Sequence, residues 1–260
     1  MIDFTEKPNY DISDLIEIMA ILRSDGGCPW DREQTHDSIR ANVIEEAYEV
    51  ADAIDSGSAD ALKEELGDLL LQVVFHSRME QESGGFDFDA VCDGVCKKLV
   101  FRHPFLFGEA TGESWEELKQ HEKGQTTVTE TLDGVARSLP ALWRSEKLQK
   151  KAAKTGFSWE SVEESLDKLD EETAELRRAV ETGQDAEEEL GDVLFAAVSA
   201  AIRLNADPEQ ALHRACEKFI RRFGAMEQAA ADAGRSLSEL TRDELLALWA
   251  LQKQAEHSKA

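Results

Sequence analysis

The sequence predicts an all-α protein built as two tandem copies of one helical unit. Three observations carry this. Apolar residues recur at helical spacing, with Leu62, Leu66, Leu69, Leu70, Val73 and Val74 in one segment and Leu190, Val193, Leu194, Ala197, Val198 and Ala201 in another. No stretch alternates convincingly as a strand. Five landmarks of the first half return in the same order in the second.

Taken in chain order, Gly27-Cys28-Pro29-Trp30-Asp31 opens the first copy, with Pro29 suited to a first helical turn. A helix carrying Glu45-Glu46-Ala47-Tyr48-Glu49 follows and stops at Ser56-Gly57. The next carries Glu64-Glu65-Leu66-Gly67-Asp68, and another runs from Cys96 to Arg102. Ser114 and Glu117 fit a capping box ahead of Trp115 and Lys119. The second copy repeats these signs as Gly156-Phe157-Ser158-Trp159-Glu160, Glu171-Glu172-Thr173-Ala174-Glu175, Glu188-Glu189-Leu190-Gly191-Asp192, Cys216 to Arg222, and Trp249 with Lys253. Its helix signals are Ser161/Glu164, the stop at Gly183, Asp207-Pro208-Glu209, and Thr241/Glu244. Residues 124–131 are polar without an apolar period, so the seam is expected there. The expected domains are 1–124 and 137–260, joined by a linker at 125–136.

Composition narrows the function. Fifty-four acidic against 29 basic residues give a net charge of −25, a field that repels nucleic-acid backbones and anionic lipid. No nucleic-acid or membrane partner is expected, and a polyanionic ligand needs a local basic cluster or bound cations. The most apolar run, Leu69 to Phe75, is too short to span a bilayer, and the first residues lack a signal-peptide pattern. Cys28, Cys92, Cys96 and Cys216 form no CxxC pair and read as reduced thiols of a cytoplasmic protein.

An acidic string means little in so acidic a chain, where a solvated helix face is the default reading. The pairing is what signals chemistry. Glu46 and Glu49 share one helix face, and Glu65 and Asp68 share a face of the next helix. The Ser56-Gly57-Ser58 break makes those helices antiparallel neighbours. The second pair also flanks the Leu62-Leu66-Leu69-Leu70-Val73 stripe, which predicts a position at the core margin. Four carboxylates gathered there repel unless a cation compensates. Oxygen-only ligands favour Mg²⁺ or Mn²⁺, while zinc lacks His and Cys ligands, and the sole ExxH, Glu33 to His36, lies outside the pairs. Gly67 and Gly191 cost stability in mid-helix and predict a close helix approach.

The doubled E-x-x-E, spacer, E-x-x-D arrangement, with Cys-Pro-Trp-Asp early in the first copy, resembles the MazG family of nucleoside triphosphate pyrophosphohydrolases from about Leu15 to Lys253. The resemblance implies two four-helix-bundle-like domains, a homodimer, Mg²⁺ dependence with Mn²⁺ as a substitute, and hydrolysis of NTPs or dNTPs to a monophosphate and pyrophosphate. Carried over, the metal ligands would be Glu172, Glu175, Glu189 and Asp192, with counterparts Glu46, Glu49, Glu65 and Asp68. Substrate contacts would fall on Lys168, Lys218, Arg222, Trp249 and Lys253. Trp249 reads equally as a stack for base or ribose and as a core aromatic; Lys218 and Arg222 also fit an exposed basic helix turn. Glu171, matched by Glu45, is the candidate to orient or deprotonate the attacking water, or else a solvated neighbour.

Both copies keep all four acids. Lys168 stands where the first copy has Asn42, and Lys147, Lys150, Lys151 and Lys154 precede the second acidic cluster. These differences predict the main catalytic copy in the second half. Two other classes stay open at this stage. One is an all-helical prenyl-transfer enzyme, whose paired motifs are Asp-rich rather than Glu-rich; the other is a dimeric interaction module whose acids merely bind cations.

Overall fold

The computed structural model describes residues 4–108 and 112–257, and among these no strand occurs. The helices are α1 (Ile12–Leu22), α2 (Pro29–Glu33), α3 (Arg40–Ser56), α4 (Ala59–Ser83), α5 (Phe88–Arg102), α6 (Pro104–Phe107) and α7 (Trp115–Glu122). They continue as α8 (Val128–Asp133), α9 (Ala141–Ala153), α10 (Val162–Thr182), α11 (Ala186–Arg203), α12 (Pro208–Asp232) and α13 (Arg242–His257). The chain divides into two compact units after Lys119, inside α7.

Local signals set the helix ends. Ser114 and Glu117 form a reciprocal cap, as do Thr241 and Glu244. Asp207 accepts the Gln210 N–H at the start of α12, where Pro208 has no N–H to lose. The left-handed caps Gly57 (φ 69°) and Gly183 (φ 72°) close α3 and α10. The stretch expected to be a linker does more than connect. Thr127 and Glu130 form a capping box that starts α8, Thr131 is buried, and α8 packs on α9. A cap and a single buried side chain suffice for so short a helix, without an apolar period.

In the first unit α3 and α4 lie side by side, and α4 also packs on α1 and α5. Only Gly57 and Ser58 separate α3 from α4, so the two run antiparallel. The core is Met19, Ile39, Val74, Phe75 and Met79, with Leu15, Ile16, Leu22, Leu71 and Phe88 against it. In the second unit α10 and α11 form the matching pair, α9 packs on α11 and α12, and α13 packs on α12. Ala179, Ala196, Val198, Ala200, Met226 and Ala230 are its buried apolar residues.

Two expectations are corrected here. The leucine stripe flanking the first acidic cluster does not face the unit's own core. Leu66, Leu70 and Val73 are exposed, and the α4 core face lies further along, at Val74, Phe75 and Met79. The second unit does the same, with Leu190, Leu194 and Phe195 exposed while Ala196, Val198 and Ala200 are buried. The acids at the head of α4 and α11 therefore border an open apolar face. The mid-helix glycines also fail to mark close packing: a Cβ added at Gly67 or Gly191 would meet nothing within 4 Å. Nothing among the described residues explains either glycine.

Candidate active site

Each helix pair brings its acids together. In the second unit Glu172 and Glu175 sit on α10, one helical turn apart, and Glu189 and Asp192 repeat the spacing on α11. Carboxylate oxygens of Glu172, Glu189 and Asp192 all lie within 4.8 Å of one another. In the first unit the converging trio is Glu46, Glu49 and Glu65. The two trios are not the same positions. Glu175 is drawn aside by Arg178, 2.9 Å away, and Asp68 stays outside the trio of its own unit.

Electrostatics register the crowding. Burial, reinforced by Glu175, Asp192 and Glu172, holds the Glu189 carboxyl above the usual range. Burial together with Asp68 and Glu49 does the same to Glu46, and burial with Glu49, Glu64 and Asp68 raises Glu65. The second unit differs in holding its own cation. Lys168, one turn ahead of Glu172 on α10, donates to Glu172 at 2.6 Å and lies 3.1 Å from Glu171. Those two carboxylates raise the Lys168 ammonium above its ordinary value, so it stays charged. The first unit has the neutral Asn42 at that place.

These donors fit a hard divalent cation. The ligand set is all oxygen. An octahedral ion with Mg–O distances of about 2.0–2.1 Å spaces its ligand oxygens about 3–4 Å apart, within the spread the trio already shows. Glu172 is buried against the helix pair, whereas Asp192 is open, so an ion held here keeps a face toward incoming ligands.

Lys168 is bonded to these acids directly. Lys218 and Arg222 lie on α12, and Trp249 and Lys253 on α13. There Phe219 packs on the Trp249 ring at 5.3 Å, and the Arg222 guanidinium lies 5.6 Å from that ring. Arg222 also donates to Glu256 at 2.7 Å, and Lys218 is exposed. The first unit repeats the group, with Arg102 5.0 Å and Lys119 5.4 Å from the centre of the Trp115 ring. Glu171 is more than half exposed beside Lys168.

Sequence reasoning missed a cavity of about 750 Å³ that opens beside the second acidic trio. Lys168, Glu172 and Asp192 are among its lining residues, together with Phe157, Trp159, Leu148, Phe195, Gln149 and Ser199. The signal available was the repeated Gly-x-x-Trp landmark, present in both copies yet not tied to the site.

In each unit a helix pair presents a carboxylate trio, and sequence comparison places the chain among nucleotide pyrophosphohydrolases. A sequence profile of the MazG nucleotide pyrophosphohydrolase domain matches residues 34–107 and 160–224, one segment for each acidic cluster. The chain belongs to the MazG family. It is 41% identical over 239 residues to the nucleoside triphosphate pyrophosphohydrolase/pyrophosphatase MazG of Thermotoga maritima, covering 91% of this chain and 93% of the relative. It is also 41% identical over 257 residues to the nucleoside triphosphate pyrophosphohydrolase of Escherichia coli, covering 94% and 98%. A nucleoside triphosphate pyrophosphohydrolase of Mycobacterium tuberculosis is 33% identical over 258 residues, covering 91% of this chain and 67% of the relative.

Proposed function

We propose that the chain is a Mg²⁺-dependent nucleoside triphosphate pyrophosphohydrolase, with Mn²⁺ as a substitute, that hydrolyses NTPs or dNTPs to a nucleoside monophosphate and pyrophosphate. The observation that carries this is the convergence of Glu172, Glu189 and Asp192 beside Lys168 in a chain of this family. Glu172, Glu175, Glu189 and Asp192 are assigned as metal ligands, Glu175 joining by releasing Arg178. Their counterparts Glu46, Glu49, Glu65 and Asp68 would hold metal in the first unit.

A bound divalent ion would supply charge neutralisation and acidify water at the scissile phosphorus. The protein's own groups do the rest. Lys168 shifts from Glu172 toward the triphosphate, a point charge that steadies the leaving pyrophosphate. Glu171, exposed one residue before Glu172, holds the attacking water and accepts its proton. Lys218, Arg222, Trp249 and Lys253 are assigned to substrate.

The same reading makes the protein a homodimer. Its support is the exposed apolar face beside each trio, Leu66, Leu70 and Val73 in one unit and Leu190, Leu194 and Phe195 in the other, together with Phe219, Ile220 and Phe223 on α12. The second unit is taken as the main catalytic copy because it alone places a lysine on its trio. A cytoplasmic setting agrees with four free cysteines. Among the described residues, no helix is long and apolar enough to cross a membrane. The experiment is pyrophosphate release from an NTP panel with Mg²⁺ and then with EDTA. Turnover stopped by EDTA supports the reading, and no release with any divalent ion removes it.

A further inference from the structure

We infer that His36 and His76 form a proton-operated latch in the first unit: the pair holds the segment that leads into α3 against α4, and lets go when both imidazoles are charged. The latch stands apart from the acidic trios and does not depend on their assignment.

The geometry of the pair carries this. His36, the histidine of the ExxH sequence, lies between α2 and α3, and His76 lies on α4. Their Nδ1 atoms are 2.7 Å apart. The ring centres are 5.0 Å apart and the planes 14° from parallel. Two imidazoles in that contact can hardly stand further apart, so they meet edge to edge, with both Nδ1 atoms on the line between the rings. That is an N–H···N hydrogen bond, in which one nitrogen donates and the other accepts. On its far side His36 Nε2 lies 3.1 Å from Glu80, also on α4. His76 Nε2 is buried and has no hydrogen-bond partner among the described residues.

Proton counting gives the switch. With both rings neutral, His36 Nε2–H donates to Glu80 and His76 Nδ1–H donates to His36 Nδ1. One added proton leaves the contact intact, because one Nδ1 still accepts. It also puts an N–H on His76 Nε2, where burial without a partner penalises it. A second proton places N–H groups on both Nδ1 atoms, and two donors cannot face each other at hydrogen-bond distance. Two like charges then oppose each other as well. Burial, and next the neighbouring His36, hold the His76 imidazole below its ordinary value. The latch is therefore closed at neutral pH and opens in mild acid.

The surrounding charges leave the pair this role. Glu80 favours charge on His36, and His36 is the charge that acts on His76. Asp14 of α1 is held by Lys7, Arg23 and Arg78 by Glu82, and Asp93 and Lys97 of α5 by each other. Glu17, Glu33, Asp37, Arg40, Asp89 and Lys98 are exposed, and Glu46 and Glu49 of α3 turn to the trio at the head of α4. Arg23 also donates to the Asp31 and Gln34 carbonyls, a tie that keeps its charge in acid. The place that His76 holds after Asp68 is taken in the second unit by Ala200 after Asp192, so the switch belongs to the first unit.

The test is amide hydrogen exchange of the whole chain at about pH 7.5 and about pH 5.5, each rate referred to its unstructured value at the same pH. Protection in residues 34–39 should fall in acid, by up to about tenfold per pH unit for each proton that opening takes up, while protection of α10 and α11 holds. His36→Gln, at an exposed position that lets the chain fold, should abolish this pH dependence and raise the pH at which His76 titrates by NMR. His76→Gln, which keeps a donor and an acceptor opposite His36, should abolish it too. Equal protection of the segment at both pH values in the wild type overturns the proposal. So does a loss that persists in His36→Gln, a loss shared by α10 and α11, or a His76 titration that His36→Gln leaves in place.

Discussion

Lys168 Nζ lies 2.6 Å from a carboxylate oxygen of Glu172, one helical turn further along α10, inside the acidic trio of the second unit. A divalent ion held by Glu172 would compete with this ammonium for one carboxylate. Lys168→Met should therefore tighten Mn²⁺ binding measured without nucleotide. It should also lower kcat/KM for ATP about 10–100-fold, the value of one charge-assisted contact to phosphate. Calorimetry and steady-state kinetics on the same variant check both arms.

The second unit is expected to carry most turnover. Asp192→Asn should lower kcat by about 100-fold or more, as loss of a metal ligand does, while Asp68→Asn retains the larger share of activity. The opposite ranking in a pyrophosphate-release assay would move the main site to the first unit.

Glu189 is held above the ordinary carboxylate value by burial and by Glu175, Asp192 and Glu172. The native state then binds more protons than the unfolded chain as pH passes from the ordinary value up to the raised one, so stability falls with rising pH across that window. Above it the full penalty persists. Metal-free Glu189→Gln should accordingly melt higher than wild type at pH 7.5, and saturating Mg²⁺ should narrow or reverse the gap. Differential scanning calorimetry with and without the ion measures this.

At the head of α13 the sign is opposite. Arg235 and the Thr241 cap hold the Glu244 carboxyl down at about 2 against an ordinary 4.5. Its contribution is complete above the unfolded value and is lost as pH falls from there through about 2. Glu244→Gln should lower the melting temperature at pH 7 and match wild type near pH 2. Thr241→Ala should cost about 1 kcal/mol at neutral pH by removing the N-cap, read from urea unfolding.

Local chemistry was legible in the sequence, and it reached far. The caps at Ser114, Asp207 and Thr241 are short-range bonds whose partners stand three residues away, so their spacing declares them. The acidic trios follow from i, i+3 pairs on two helices joined by a tight turn. What the sequence could not say is where an apolar stripe finds its partner. Leu66 and Leu190 have the spacing of core residues, yet both face outward, because periodicity records a face and not what covers it. The cavity was hidden for a related reason. Phe157, Gln149 and Ser199 come from three separate segments that meet only after α9 and α11 pack. Trp249 could be read from its type alone as a stacking face or a core aromatic, and its contact with Phe219 across α12 and α13 appears only once those helices pack.

Core packing gives a separate prediction. Phe75 is 4% exposed among Met19, Ile39 and Met79, with the Arg23 guanidinium 5.3 Å from its ring centre. Phe75→Ala should destabilise the first unit by about 3–5 kcal/mol. Urea unfolding followed by circular dichroism should then show that unit melting ahead of the second.

The central claim is that carboxylates on α10 and α11, with a divalent ion, direct cleavage between the α and β phosphates. Phosphorus NMR of ATP turnover in ¹⁸O-water tests it directly. The account predicts AMP and pyrophosphate as the products, and no reaction in EDTA or in Asp192→Asn. ADP with orthophosphate, or turnover that survives chelation, would contradict it.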